Sequence, residues 1–365
     1  PYVVRRRAVR HLAHGGWPVQ AATSGPARAR TGGAACSRRS HAAARAAATM
    51  RNDQPRGQLL SGPLLRPNDR AASVAREYHR LEVRIGQWAQ ANDAVRGALV
   101  LGSRARADHP ADEWADLDVL VATEHAGTLI EDRAWLSSIG DPWMSFVGRA
   151  GGEGEIPELR VMFAGGFDVD FALMQPDRIR AIVRHDPAIA AMAFGRGVRV
   201  LVDKDASLAA LVEGLPEHAA DPAAPVPDQA AFTEVCMDFW YHCVWTAKHL
   251  ARGEVWWAKS CCDAYLKHLL QRMLEWQALG EGRDPWFRGR FLEEWADRAT
   301  LAGLRTAFAH YDATEVWPAL DATMDLFGAA ARRTAQAQTL PYDETAEAHA
   351  RELSRSIRET GSFVD

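Results

Sequence analysis

The sequence predicts an α+β fold: a mixed sheet with flanking helices, followed by an all-α helical bundle. Three observations predict it. Between about positions 95 and 202, short apolar runs recur, bounded by glycine and acidic turn signals. Around Leu215 to Asp228 the composition shifts to proline, alanine and acid, as in a linker or long loop. Beyond it apolar residues recur at helical spacing, and many of the thirteen tryptophans fall there.

Taken in order, the elements follow from their local patterns. Asp69 is placed to cap a helix running to about Asn92, with Ala72, Val74, Ala75, Tyr78, Leu81, Ile85 and Trp88 as its apolar stripe. Val95 to Leu101 reads as a buried strand ended by Gly102-Ser103. Asp116 to Ala122 alternates, with Leu117, Val119 and Val121 on one face. Leu159 to Ala164 and Phe167 to Met174 flank Gly165-Gly166, a two-residue hairpin signal. Val198 to Val202 supplies another strand before Asp203-Lys204-Asp205. Helices are expected near 230–251, 255–279, 287–310, 314–337 and 343–360. The expected organisation is a basic leader over 1–55, a sheet domain over 65–215 and a helical domain over 229–362.

Charge separates the leader from the rest of the 365 residues. Residues 1–51 carry ten arginines and no acid; Met50 reads as a natural start, and the stretch before it as outside the fold. From residue 52 onward there are 33 Lys and Arg against 47 Asp and Glu, a net charge of −14. Such a body repels nucleic-acid backbones and attracts polycations, which favours a small cationic partner over DNA or RNA. No apolar run is long enough to span a bilayer, so no membrane partner is expected. The five cysteines show no metal-ligand spacing and read as free thiols of a cytoplasmic protein.

The residues that carry chemistry lie between 99 and 170. Gly102-Ser103 at a strand end lets a phosphate approach closely, with the Ser103 hydroxyl as donor and Arg104 and Arg106 offering charge. Asp116 and Asp118, two apart on one strand, share a face and form a hard-oxygen site suited to Mg²⁺ with a nucleoside triphosphate. Asp170 lies between Val169 and Phe171, and a carboxylate among such neighbours needs a partner. Three acids converging from two strands supply one, by clamping metal ions across an in-line displacement. Taken singly, each acid is better explained otherwise, Asp116 as a loop end and Asp118 and Asp170 as partners of arginine; the ordered set reverses that preference. Asp168 adds an acid on the Asp170 face, open to three readings: an acceptor contact, a Mg²⁺ ligand or a solvated edge charge.

This ordered set resembles the DNA polymerase beta-like nucleotidyltransferases and, more narrowly, the aminoglycoside 6-adenylyltransferase (streptomycin adenylyltransferase) family. The likeness runs from about residue 69 to 360. It takes in Gly102-Ser103-Arg104, Asp112-Glu113-Trp114, Asp116-Leu117-Asp118, Leu201 to Asp205, Phe239-Trp240, Ala247-Lys248, Ala251 to Glu254, Leu269 to Trp276 and Leu340 to Asp343. The resemblance implies AMP transfer from ATP to an aminoglycoside hydroxyl, by a monomer. Asp116, Asp118 and Asp170 would hold Mg²⁺ or take the proton. Gly102, Ser103, Arg104 and Lys248 would bind the triphosphate, and Glu254 and Asp168 the acceptor. Glu254 can equally cap the following helix. Gln277, where relatives often have His, and an Arg- and Trp-rich stretch after Arg283 depart from the family pattern and bear on the acceptor. Two other functions fit the same residues: transfer to another small-molecule or protein hydroxyl, and a silent nucleotide-binding regulator.

Overall fold

The computed structural model describes residues 67–150, 156–185, 194–206 and 226–360, with Ala190, Leu208 and Val212. The expected basic leader, and most of the expected linker, lie outside the described residues. By its contacts the chain divides after Arg76, and both the sheet and the helical region lie in the unit Glu77–Asp365.

The first elements are helix α1 (Pro67–Ala91), strand β1 (Val95–Leu101) and strand β2 (Leu117–Thr123). Two short helices follow, α2 (Ala126–Glu131) and α3 (Leu136–Ile139). Then come β3 (Pro142–Ala150), β4 (Ile156–Phe163), β5 (Phe167–Met174), α4 (Pro176–His185) and β6 (Arg199–Asp203). The strands form one sheet in the order β3-β4-β5-β2-β1-β6. β2 and β5 are parallel, and the other neighbouring pairs are antiparallel, so the sheet is mixed.

Alternation along β2 and β5 sorts the side chains. Leu117, Val119, Val121, Val169, Phe171 and Leu173 are all buried, and Phe171 meets Trp135, which stacks on Trp88 of α1 at 4.2 Å. The opposite face packs Leu99, Leu120, Ala122 and Met174 against Ile179 of α4 and Phe194. At its lower end that second face carries Asp118 and Asp170 in place of apolar residues.

The helical region comprises α5 (Gln229–Ala251), α6 (Val255–Ser260), a π-helical turn (Cys261–Tyr265), α7 (Leu266–Gly280), α8 (Leu292–Trp295), α9 (Arg298–Leu304), α10 (Ala313–Gln338) and α11 (Glu344–Thr360). Asp228 caps α5 by accepting from the Ala231 N–H at 2.8 Å. The core is aromatic at its centre, where Phe239 stacks on Phe327 at 3.6 Å and Trp240 meets both rings edge-on. Cys236, Cys243, Cys261 and Cys262 are buried free thiols; Cys36 lies outside the described residues. No described helix is long and apolar enough to cross a membrane.

The expected helix over 287–310 is not continuous. Arg288, Gly289 and Phe291 adopt left-handed backbone, at φ 58°, 70° and 52°, and helices only resume at α8 and α9. Left-handed backbone at a residue with a side chain costs about 1 kcal/mol or more, and it ends any α-helix locally. Asp297 then restarts the chain by capping α9 through the Thr300 N–H. The expected helix over 255–279 exists with one interruption, the π turn, which shifts the helical face by one residue.

Truncating Phe327 to alanine removes the ring at the centre of the helical core. Urea unfolding of Phe327→Ala is expected to show a loss of about 4 kcal/mol.

Candidate active site

The register of the central strand pair creates the site. Asp118 of β2 lies directly beside Asp170 of β5 in the parallel ladder, so their side chains rise together about one strand spacing apart. Asp116 sits one residue before β2. Carboxylate oxygens of Asp116, Asp118 and Asp170 come within 4.8 Å of one another. On the other side of β2, Leu101 pairs with Asp118, which brings the end of β1 and its Gly102-Ser103 turn to the same edge. Gly102 is at φ 66°, and a Cβ there would overlap the Asp118 carboxylate. Only glycine allows the turn and the acid to be this close.

Electrostatics at the cluster are unfavourable without a cation. Burial, then the charges of Asp116, Asp170 and Glu158, push Asp118 up to about 7 from the ordinary 3.8. Asp170 is pushed up to about 6, by burial and then by Glu158, with Arg160 opposing. Arg160 stands directly across the β4–β5 ladder from Asp170, 3.4 Å away at Nε, and also binds the buried Glu158 at 2.6 Å. The arginine-pair alternative therefore describes Asp170 in part, and the convergence of three acids describes it as well.

Arg104 serves this site indirectly. Its guanidinium donates to the carbonyls of Asp116 (2.9 Å) and Ala115 (2.6 Å) and lies 3.4 Å over the Tyr78 ring. Tyr78 in turn donates its hydroxyl to Asp168 at 2.9 Å. Asp168, Tyr78 and Arg104 thus form a chain that holds the backbone of Asp116 in place. Ser103 is buried, and its hydroxyl has no hydrogen-bond partner among the described residues.

The helical region contributes charge from the Arg-rich stretch after Arg283, which by sequence bears on the acceptor and not on the acids. The positive charge of Arg290 acts on Asp118, against the neighbouring acids. Arg106 is held below the usual arginine range by burial and by the charges of Arg290 and Arg196, with Asp118 pulling the other way. Lys248 lies exposed in the last turn of α5. Glu254 occupies the cap position of α6 without bonding its N–H groups; its carboxylate binds His249 and Arg252 instead. It lines an open cleft of about 450 Å³ with Trp256, Trp257 and Tyr311.

A Gly-Ser turn thus lies beside two strand carboxylates and a third just before the strand, a group that could hold a metal ion. The sequence model of the streptomycin adenylyltransferase family matches residues 75–357. The chain belongs to that family. It is a nucleotidyltransferase. Within the matched span, Tyr342 accepts from Trp240 Nε1 at 3.2 Å and donates to Glu347 at 2.7 Å, and Asp343 caps α11. These bonds tie α5 to α11 in the helical region.

Two solved structures resemble the chain. One is an aminoglycoside 6-adenyltransferase from Bacillus subtilis, 16% identical, with 78% of this chain and 99% of that chain covered at a TM-score of 0.37. The other is a nucleotidyltransferase-like protein from Exiguobacterium sibiricum, 12% identical, with 76% and 86% covered at a TM-score of 0.31. No curated protein matches the chain.

The raised carboxylates give a pH dependence with a definite sign. Between about pH 4 and about 7 the folded cluster binds more protons than the unfolded chain, so metal-free stability falls as pH rises. In chelator, Asp118→Asn is expected to raise the melting temperature near pH 8 and flatten that decline. Added Mg²⁺ should restore the wild type and leave the variant unmoved. Identical melting curves for the two proteins in chelator would refute this account of the cluster.

Proposed function

We propose that this chain transfers AMP from ATP to a hydroxyl of an aminoglycoside, streptomycin or a close analogue, in a Mg²⁺-dependent reaction releasing pyrophosphate. The observation that carries the reading is the trio Asp116, Asp118 and Asp170, within 4.8 Å of one another beside Gly102-Ser103, in a chain of this family.

The donor set fits a hard divalent ion: three carboxylates with oxygens close enough to share it. Bound there, Mg²⁺ would neutralise the cluster and supply Lewis acidity at the phosphates. The protein's own groups do the rest. Ser103 offers its hydroxyl to a phosphate oxygen, and Gly102 lets that phosphate come close. Arg104 acts by positioning Asp116, and Lys248 belongs to the proposed triphosphate set as a point charge. In the reaction the acceptor oxygen bonds the α-phosphorus while the bond to the bridging oxygen breaks. Pyrophosphate leaves with the electron pair, and the hydroxyl proton passes to a carboxylate. Asp170, beside Asp118 in the parallel strand pair, is the carboxylate we assign to receive it.

Features of the helical region favour a cationic sugar as acceptor. Trp256, Trp257 and Tyr311 are exposed around the cleft that Glu254 lines. Aromatic faces stack on sugar rings and attract ammonium or guanidinium groups, and a nearby carboxylate adds to that attraction. Asp168 is engaged with Tyr78, so we assign the acceptor role to Glu254 ahead of it.

Purified protein with ATP and Mg²⁺ is expected to release pyrophosphate only when streptomycin or a related aminoglycoside is added, with a matching AMP mass shift on the drug. Asp118→Ala should lower that rate at least 1,000-fold, on the order of other losses of charge stabilisation, while keeping the wild-type circular dichroism spectrum. Release independent of the drug would point to a different hydroxyl acceptor. Wild-type turnover by the variant would remove the cluster from the chemistry.

A further inference from the structure

The segment between α7 and α8 is built in an unusual way for a connection. Arg288, Gly289 and Phe291 are all left-handed, and two of the three carry side chains. Strained backbone of this kind persists only where surrounding contacts impose it. Those contacts are specific. Phe291 lies 4.3 Å from His109, itself left-handed at φ 44°, and the Trp286 ring is 4.7 Å from the same histidine. Glu294 bonds His109 Nε2 at 2.9 Å, Asp284 pairs with Arg196 at 3.0 Å, and the Arg196 guanidinium stacks on Trp286 at 3.6 Å. His109 follows Ser103 by six residues. The segment is therefore clamped to the loop that leaves the Gly-Ser turn.

Arg290 sits between the left-handed residues. It is exposed, and among the described residues no carboxylate forms an ion pair with it. Its charge nonetheless reaches both Asp118 and Arg106. Arg106 lies 4.8 Å over the Trp286 ring, which also meets Phe291 at 4.9 Å, so the clamped segment puts Arg290 and Arg106 on one side, with a cation-seeking cluster that neither arginine pairs with on the other. A polyphosphate satisfies both sides at once, because its oxygens accept fork-like hydrogen bonds and share the divalent ion.

We propose that Arg290 is a second phosphate-binding residue supplied by the helical region besides Lys248, taking the β- and γ-phosphates of the nucleotide with Arg106 beside it. The identity of the anion rests on the nucleotidyl-transfer reading above; the placement of the arginine does not. The strained loop then has a purpose, which is to hold this guanidinium beside the loop that leaves the Gly-Ser turn without a carboxylate to quench it.

Calorimetric titration of wild type, Arg290→Gln and Arg290→Lys with Mg²⁺-ATP, Mg²⁺-pyrophosphate and AMP tests this. Arg290→Gln should weaken ATP and pyrophosphate at least tenfold and leave AMP unchanged, with Arg290→Lys recovering part of the loss. The melting temperature should stay at the wild-type value. Unchanged pyrophosphate binding in Arg290→Gln overturns the proposal, as does equal weakening of all three ligands. If the arginine effects hold while no aminoglycoside is modified, the acceptor reading fails and Arg290 keeps its role. A wild type that binds neither ATP nor pyrophosphate defeats both.

Discussion

Mutual repulsion among Asp116, Asp118 and Asp170 is the force that the surrounding architecture has to withstand. Three partly desolvated carboxylates with oxygens inside 4.8 Å would separate if carried on loops. Here two are fixed by one register of a parallel strand pair at the middle of the sheet, where a slip would turn both side chains to the other face. The third is fixed from outside the ladder, through the carbonyl of its own residue held by Arg104. The sheet thus stores an electrostatic tension that a divalent cation would relieve.

That constraint explains the unequal roles of the nearby arginines. Arg160 lies across the ladder and moderates Asp170 without closing the cluster. Arg104 turns away from the acids' oxygens and grips backbone, with Tyr78 and Asp168 behind it. Arg106 follows the Gly-Ser turn by three residues, and the charge of Arg290 reaches both it and Asp118. Had any of these formed a close bidentate pair with Asp118, the cluster would be quiet and of little use to a metal. Positive charge is present nearby, and geometry keeps it from collapsing onto the acids.

Much of this was legible in the sequence, and the exceptions have physical causes. β1 and β5 run over the residues their apolar patterns mark, because each is a buried central strand bounded by turn residues. β3 escaped notice: it is an edge strand with Trp143, Met144, Phe146 and Val147 all exposed, so it has no alternation to read. α4 opens with proline and an acid but is short and polar, with only a narrow apolar stripe. The convergence of the acids followed from chain order and period. The inward turn of Arg104 did not, because it depends on Tyr78 and Asp168, ten and more residues away in either direction. Arg290 was illegible for a related reason: its position is set by left-handed residues that, apart from Gly289, carry no sequence mark, and by His109 from far along the chain.

The thiols of the helical core have a practical corollary. Burial pushes Cys236 up to about 12 and Cys261 up to about 11, and it raises Cys243 and Cys262 as well. None of these four presents a reactive thiolate while the core is closed. Alkylation at these positions would therefore report on transient opening of that core. The protein carries four internal clocks for how often its helices part, and a nucleotide that tightens the fold would slow them all.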